Sequence, residues 1–148
     1  MSGIGTAQLA GLSTTQIAAI STKDISSLST TQLGALSSVT ALSATQIGAL
    51  TSTQVGSIGA SAFSSLSVTQ LGAITSSQAA ALTTAQLDSL SSTQVAALST
   101  KDIPSITTTT LDSLSTATLG MLTYAQVSAM TSGQMQSLGT TLIQYLAV

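Results

Sequence analysis

The side chains that could carry out chemistry in this sequence are few, and nearly all of them are aspartates. The 148 residues contain no His, no Cys and no Glu, and the acidic residues are Asp24, Asp88, Asp102 and Asp112. Without imidazole or thiol groups there is no Ser–His–Asp triad, no thiol nucleophile and no His or Cys metal ligand. A paired-carboxylate site would require the fold to bring two aspartates together. We therefore predict that the protein is not an enzyme and binds no cofactor or metal.

Charge is scarce along the whole chain. Lys23 and Lys101 are the only cations, charged residues make up 4% of the sequence, and the net charge is −2. No basic patch can form to attract nucleic acid, and no apolar run approaches the length of a membrane-spanning helix. We expect neither nucleic-acid binding nor membrane insertion. A surface with so little charge repels its own copies weakly and tends to associate.

The remaining residues form a tandem array of one eight-residue unit. Octads run over residues 5–36, a six-residue unit occupies residues 37–42, and octads resume at Ser43 and continue to Leu146. In every octad the fifth and eighth positions are apolar. The sixth and seventh are mostly Ala, Gly or Ser, the first is Ser, Thr or Gly, and the fourth is usually Gln. This pattern predicts a single repeat domain over residues 1–148, with units numbered 1 to 18 in chain order and the short unit as unit 5.

Each octad carries the signature of a helix start. Ser or Thr followed three residues later by Gln is a capping box. The hydroxyl accepts a hydrogen bond from the third helical amide, and the Gln side chain accepts one from the amide of the cap residue. Glycine, which replaces the hydroxyl residue at Gly5, Gly59 and Gly139, is also an acceptable N-cap. A new helix is therefore predicted every eight residues.

Two other folds fit the eight-residue period less well. In one continuous helix, the apolar stripe would rotate by about 80° per unit and spiral around the helix. In a β-solenoid, the fifth and eighth positions would face opposite sides of a strand, and Gln, Ala and Leu favour helix over strand. We predict an all-α solenoid, a superhelix of very short helices, with the β-solenoid as the alternative.

Stacking must hold such helices together, because helices of about six or seven residues are far too short to be stable alone. The apolar pair would face inward, and the small residues beside it would let neighbouring helices approach closely. Two octads per superhelical turn would be a natural packing, although the sequence leaves that number and the handedness open. The short unit 5 should kink or tighten the superhelix. Pro104, at a sixth position, removes a helical hydrogen bond unless its turn is irregular.

The aspartates have ordinary interpretations within the octad. Asp24 and Asp102 occupy the fourth position, where a carboxylate could cap a helix with help from the helix dipole. Asp88 and Asp112 occupy the sixth position and are expected to face solvent. Most hydroxyls lie at positions one to three, where capping and solvent exposure account for them.

The ends of the array carry the candidate contacts for self-assembly. A solenoid that stands alone needs polar terminal units, whereas the last octad is among the most apolar and the first residues are no better shielded. Head-to-tail contact between such ends gives a fibre when the contact does not close. The candidate assembly contacts are Ile4, Ile143, Tyr145, Leu146 and Val148.

Residues 12–17 (Leu-Ser-Thr-Thr-Gln-Ile) and 82–87 (Leu-Thr-Thr-Ala-Gln-Leu) show the repeat most clearly. The array resembles the Leu-Thr-Thr-Ala-Gln type octapeptide tandem repeats of very large, low-complexity bacterial proteins, over nearly the whole chain. This resemblance implies a secreted or surface-associated, adhesin-like protein. No leader with a basic start is visible, so we expect export to the cell surface or the medium without a classical signal peptide.

Taken together, these features predict a non-enzymatic structural protein. We expect it to self-assemble end to end into a filament or a surface or matrix layer, with further copies of itself as its partner. The alternative is a monomeric binding module whose face of Ser, Thr and Gln binds a carbohydrate such as a surface glycan, another cell-surface partner, or ice.

Overall fold

The computed structural model describes residues 3–146, with side chains described as far as Gly139. This part of the chain is helical and contains no strand, so the predicted all-α solenoid is confirmed and nothing supports the β-solenoid. Two 3₁₀ turns, Val39–Ala41 and Ile103–Ser105, stand where units 5 and 13 would have α-helices. The α-helices are Thr6–Ala10 (α1), Thr14–Ala18 (α2), Thr22–Ser27 (α3), Thr30–Gly34 (α4), Ala44–Ala49 (α5), Ser52–Ser57 (α6), Ala60–Ser64 (α7), Val68–Leu71 (α8), Ser76–Ala79 (α9), Thr84–Asp88 (α10), Ser92–Ala97 (α11), Thr108–Asp112 (α12), Thr116–Leu119 (α13), Tyr124–Ser128 (α14) and Ser132–Leu146 (α15).

Most of the helices begin at the predicted capping boxes. In unit 6 the Oγ atom of Ser43 accepts a hydrogen bond from the Gln46 amide at 3.2 Å, and the Oε1 atom of Gln46 accepts one from the Ser43 amide at 2.8 Å. Ser43 has extended backbone angles, as an N-cap should. The helix ends at Leu50, which is also extended. Leu50, the eighth residue, therefore leaves the helix and leads directly into the next cap, Thr51.

The fifth and eighth positions form one continuous core, as the apolar spacing predicts. Leu9, Ile17 and Val55, all at fifth positions, are completely buried. The departures lie in the first and last turns, where Leu12 and Leu122 are half-buried and Met135 is 38% exposed. Each turn of the superhelix therefore depends on its neighbours to cover its apolar residues.

The superhelix contains between three and four units per turn. Helices in extensive contact are three units apart, as α6 is from α9 and α7 is from α10. Hydrogen bonds from the Gln side chains reach the unit four places earlier, as from Gln78 to Leu50, 28 residues away. Because a unit contacts both its third and its fourth neighbour along the chain, one turn contains between three and four units. The prediction of two octads per turn is therefore wrong.

Small residues at the sixth position allow the close approach of units three apart. A Cβ atom added to Gly56 would lie 2.9 Å from the carbonyl oxygen of Ala81, and one added to Gly48 would lie 3.1 Å from that of Ala73. Both distances are shorter than ordinary van der Waals contact. The predicted role of the small residues is therefore confirmed at these positions.

The irregular units alter the path of the chain locally. Unit 5 has two residues fewer and tightens into the 3₁₀ turn Val39–Ala41. Pro104 lies in the second 3₁₀ turn, so its octad is irregular as the proline requires. Gly139 interrupts α15 with φ 45° and ψ −128°, angles that a residue with a side chain rarely adopts. Among the described residues, no helix has both the length and the apolar character needed to cross a membrane.

Candidate functional site

The Gln at the fourth position connects successive turns of the superhelix. The Oε1 atom of Gln78 accepts the Thr75 amide at 2.8 Å, while its Nε2 atom donates to the carbonyl oxygens of Ile47 at 2.8 Å and Leu50 at 2.7 Å. The last carbonyls of a helix lack partners within that helix, and Gln78 supplies one from four units away. The side chain is 1% exposed, so these bonds are shielded from water.

The same arrangement recurs along the array and forms what we call the glutamine ladder. The capping half of each bond set was predicted from the sequence, but the donation by Nε2 to an earlier turn was not. Within the described residues no buried side-chain nitrogen or oxygen lacks a partner. The side chains that donate to at least two carbonyls of the unit four places earlier are Gln46, Gln54, Gln70, Gln78, Gln86, Gln94, Gln126 and Gln134.

Unit 15 has Thr118 in place of Gln, and an aspartate of unit 11 substitutes for the missing amide. The carboxylate of Asp88 accepts the Thr118 hydroxyl at 2.6 Å, the Ser115 hydroxyl at 3.0 Å and the Ser115 amide at 3.1 Å. Burial raises the pKa of Asp88, but the hydrogen bonds from Thr118 and Ser115 lower it by more, so the pKa lies below its ordinary value of 3.8. Asp88 faces solvent as predicted, and it also provides the acceptor that a Gln would provide.

The prediction that Asp24 and Asp102 cap their helices is wrong. The Asp24 carboxylate accepts a hydrogen bond from the Ser21 hydroxyl at 2.7 Å, but it accepts none from the Ser21 amide. Asp102 is buried and accepts the Ser76 hydroxyl at 2.7 Å, from a unit three places earlier. An aspartate side chain is one methylene shorter than Gln and has no N–H to donate, so it cannot make the ladder bonds.

Asp112, at its sixth position, is exposed as predicted and accepts a hydrogen bond from the Ser137 hydroxyl. Each of the four aspartates thus bonds to hydroxyls of its own or a neighbouring turn. Across the described residues no two of these carboxylates share a hydrogen-bond partner. Each carboxylate is therefore held by hydroxyl partners of its own.

Unit 8 interrupts the ladder and leaves a cavity. Ala62 occupies the position of Gln, and Gly59 occupies the position of the capping hydroxyl residue. A cavity of about 310 Å³ opens beside them, against Leu33 and Leu36 of unit 4 and the short unit 5. The missing Gln and the two missing residues of unit 5 thus leave space at the same place.

The first turn of the ladder has donors without acceptors. Gln8 and Gln16 cap their own helices, with Oε1 at 2.9 Å from the Gly5 and Ser13 amides. No carbonyl in the described range accepts a hydrogen bond from the Nε2 atom of either residue, and both side chains are exposed. Gln32 is the first to reach an earlier part of the chain, at the carbonyl oxygen of Ile4, 2.8 Å away and just before unit 1.

The last turn has the complementary acceptors. The carbonyl oxygens of Leu122 and Met130 accept no hydrogen bond from any residue between 3 and 139. Of the predicted assembly contacts, Ile4 is half-buried and packs against the core. The side chains of Ile143, Tyr145 and Leu146, and all of Val148, lie outside the described residues. These five residues therefore stay a prediction as assembly contacts.

Comparison with known proteins identifies the repeat but no individual relative. The sequence profile of the ALTTAQ repeat matches residues 1–38 and 80–108. No curated protein and no solved structure matches the chain significantly. The match supports the predicted repeat over these two regions, whereas its bacterial and adhesin-like context stays a prediction. The match supports a place for this chain in a repeat-containing protein family.

Proposed function

We propose that this protein is a non-enzymatic structural element that docks end to end with further copies of itself into a filament or a surface layer. The observation that carries the proposal is the polarity of the glutamine ladder. Its hydrogen bonds all run from a Gln donor to carbonyls four units earlier. The first turn therefore presents donors and the last turn presents acceptors.

The donors of the first turn and the acceptors of the last turn have matching spacing. The amides of Gln8 and Gln16 belong to consecutive units, and so do the carbonyls of Leu122 and Met130. If a second copy continues the superhelix beyond unit 18, the four-unit rule brings its Gln8 and Gln16 amides onto carbonyls of two consecutive units in the last turn of the first copy. The same contact can then be repeated at every junction, and a heterologous contact that does not close produces an open fibre.

Packing and charge favour the same contact. Met135 of the last turn is 38% exposed, whereas fifth-position residues within the array are buried, and a following turn would cover it. Burial of this exposed apolar area contributes about 25 cal/mol per Å². The net charge of −2 opposes docking only weakly.

We place this assembly outside the cell or at the cell surface, on the octapeptide resemblance and the low charge. The alternative function is a discrete module whose exposed hydroxyls bind a glycan or ice. It predicts separate particles of uniform size, so a measurement of particle shape distinguishes the two.

Negative-stain electron microscopy of the purified chain tests the proposal, together with the double variant Gln8→Glu/Gln16→Glu. Each Glu keeps an oxygen that can accept the cap amide but loses the N–H donors, so filaments of the wild type should be lost. Ala7→Glu/Thr15→Glu adds equal charge to the same units at exposed neighbouring positions, and this control should still form filaments. A chain lacking residues 140–148 tests the other end and should not form filaments.

Separate particles in the wild type would reject end-to-end assembly, and glycan and ice-binding assays would follow. Filaments in both double variants would reject the role of the two amides. Loss of filaments in both would identify charge, and not the loss of the donors, as the cause.

A further inference from the structure

The cavity at unit 8 lies in the middle of the array, away from the ends that the proposed assembly uses. Its apolar wall includes Leu33, Leu36, Val39 and Ile58, and its lining also includes Gly59. Leu33 and Leu36 are almost completely buried, so this wall is part of the core. The volume of about 310 Å³ is at the lower end of the range of small-molecule sites.

In the units of the glutamine ladder a side-chain amide fills the corresponding space. In unit 10 the amide of Gln78 lies between the Thr75 amide and the carbonyls of Ile47 and Leu50. By the four-unit rule, the counterparts around the cavity are the Gly59 amide and the carbonyls of Leu33 and Leu36. The regular units therefore show which chemical group, a primary carboxamide, these backbone groups are arranged to bind.

These counterparts have unused hydrogen-bonding capacity. Among the described residues, neither the Gly59 N–H nor the Leu36 carbonyl has a partner, and the Leu33 carbonyl accepts only the Leu36 amide, at 3.1 Å. Ala62, where Gln would stand, has no polar side-chain atom to offer them. One donor and two acceptors thus border a partly apolar cavity.

We propose that this cavity binds a small uncharged molecule that ends in a primary carboxamide. The carboxamide oxygen accepts the Gly59 N–H, and its NH₂ group donates to the Leu33 and Leu36 carbonyls. The hydrocarbon stem lies against the apolar wall, where its burial is favourable. A carboxylate has no proton to donate and an ammonium group has no acceptor, so neither can satisfy both sides.

The rim can accommodate a slightly larger ligand of the same class. The hydroxyls of Ser37 and Ser57 already donate, to the carbonyls of Leu12 at 3.0 Å and Gln54 at 2.7 Å. Their oxygens keep lone pairs that can accept a hydrogen bond from the ligand. The inner part of the site thus selects the carboxamide, and the rim tolerates different stems.

Propionamide is the probe for the first test, because it carries the carboxamide on a short apolar stem. Saturation-transfer difference NMR detects its binding equally well on single particles and on filaments. We expect saturable binding with a dissociation constant on the order of millimolar, as is usual for so small a ligand. Butanone, which has a similar shape but no N–H, and propionate should give signals at least several-fold weaker.

Two variants locate the binding at unit 8. Ala62→Gln should occupy the cavity with its own side chain, raise the melting temperature and abolish the propionamide signal. Gly59→Pro replaces the N–H with a ring carbon, and the Gly59 φ of −60° suits proline. It should weaken propionamide binding several-fold, and by more than it weakens the butanone signal.

A ligand that mimics the ladder should also rescue a gap made elsewhere. Gln78→Ala should lower the melting temperature, and propionamide should recover part of the loss, since a ligand bound to the native state stabilises it. Equal propionamide signals in the wild type and Ala62→Gln, or butanone binding as strong as propionamide, would overturn the proposal. Neither result bears on filament formation, so the two proposals fail independently.

Discussion

The Thr118 hydroxyl donates a hydrogen bond to the Asp88 carboxylate at 2.6 Å, although the residues are 30 positions apart in the sequence. They are neighbours because unit 15 lies on unit 11, four places earlier. The carboxylate also accepts the Ser115 amide, which in a regular unit would bond to the Gln of its own octad. A local capping interaction has therefore been replaced by one between turns.

This relationship predicts a pH-dependent contribution to stability. The folded-state pKa of Asp88 is depressed, so the ionised carboxylate favours the folded state above the unfolded pKa, and this contribution is lost as the pH falls through the folded pKa. Asp88→Asn should lower the unfolding free energy at pH 6 by about 1 kcal/mol, a small value because the group is exposed. Urea denaturation between pH 6 and pH 2 measures the difference.

The difference between wild type and Asp88→Asn should shrink below the ordinary pKa of 3.8 and vanish at the acid end. Thr118→Ala removes the hydroxyl that makes the shortest hydrogen bond to Asp88. In a chain that keeps Asp88, it should reduce the pH-dependent part of the unfolding free energy. A difference that stays constant over the whole pH range would contradict the role of the ionised carboxylate.

The local structure of each unit followed from the sequence because its determinants lie within one octad. Ser43 and Gln46 are three residues apart, and their reciprocal bonds form in any chain that starts a helix there. The burial of residues such as Ile47 and Leu50 follows in the same way from apolar spacing. These interactions do not depend on the number of units in a turn.

The contacts between turns could not be predicted, because a regular repeat carries no mark of how many units complete a turn. Gln78 is an equally good cap with two, three or four units per turn, and only the superhelix places its Nε2 atom on Leu50. A signal for the pairing of Asp88 with Thr118 was present in the sequence. Both are departures from the repeat, and they lie four units apart, a spacing that gains meaning only once the turn is known.

The double role of the ladder Gln predicts that its contribution to stability depends on position. Gln78→Ala removes a cap acceptor and two donors in a buried site, and the groups left behind lose their partners. We expect a loss of about 2–4 kcal/mol in unfolding free energy. Gln16→Ala loses only an exposed cap bond and should lose about 0.5–1 kcal/mol. Urea denaturation of the two variants, with the same probe, gives the comparison.

Gln78→Glu separates the two roles of the side chain. It keeps an oxygen for the Thr75 amide but places a carboxylate against the carbonyls of Ile47 and Leu50, so it should be at least as destabilising as Gln78→Ala near pH 7. Equal effects of alanine at positions 78 and 16 would show that the bonds between turns add nothing beyond capping.

The close approach at the sixth position predicts opposite effects of the same substitution in two units. Gly56→Ala would place a Cβ atom 2.9 Å from the Ala81 carbonyl oxygen, and overpacking of this kind costs about 1–3 kcal/mol. At Gly34, also a sixth position, an added Cβ has no atom within 4 Å. Gly34→Ala should therefore stabilise the chain by about 0.5–1 kcal/mol through helix propensity. Thermal unfolding followed by circular dichroism should shift in opposite directions, and a parallel shift would contradict the packing argument.

Units 3 and 13 provide a natural pair for testing the proline. They differ in sequence at only two positions, and Ser26 in α3 corresponds to Pro104 in the 3₁₀ turn. Ser26→Pro removes an N–H inside an α-helix and should cost about 3 kcal/mol, whereas Pro104→Ser restores an N–H to a turn that does not need it and should change stability by less than about 1 kcal/mol. Urea denaturation of both variants measures the asymmetry. If Ser26→Pro were tolerated as well as Pro104→Ser, the 3₁₀ turn would be available to any octad and would not be special to unit 13.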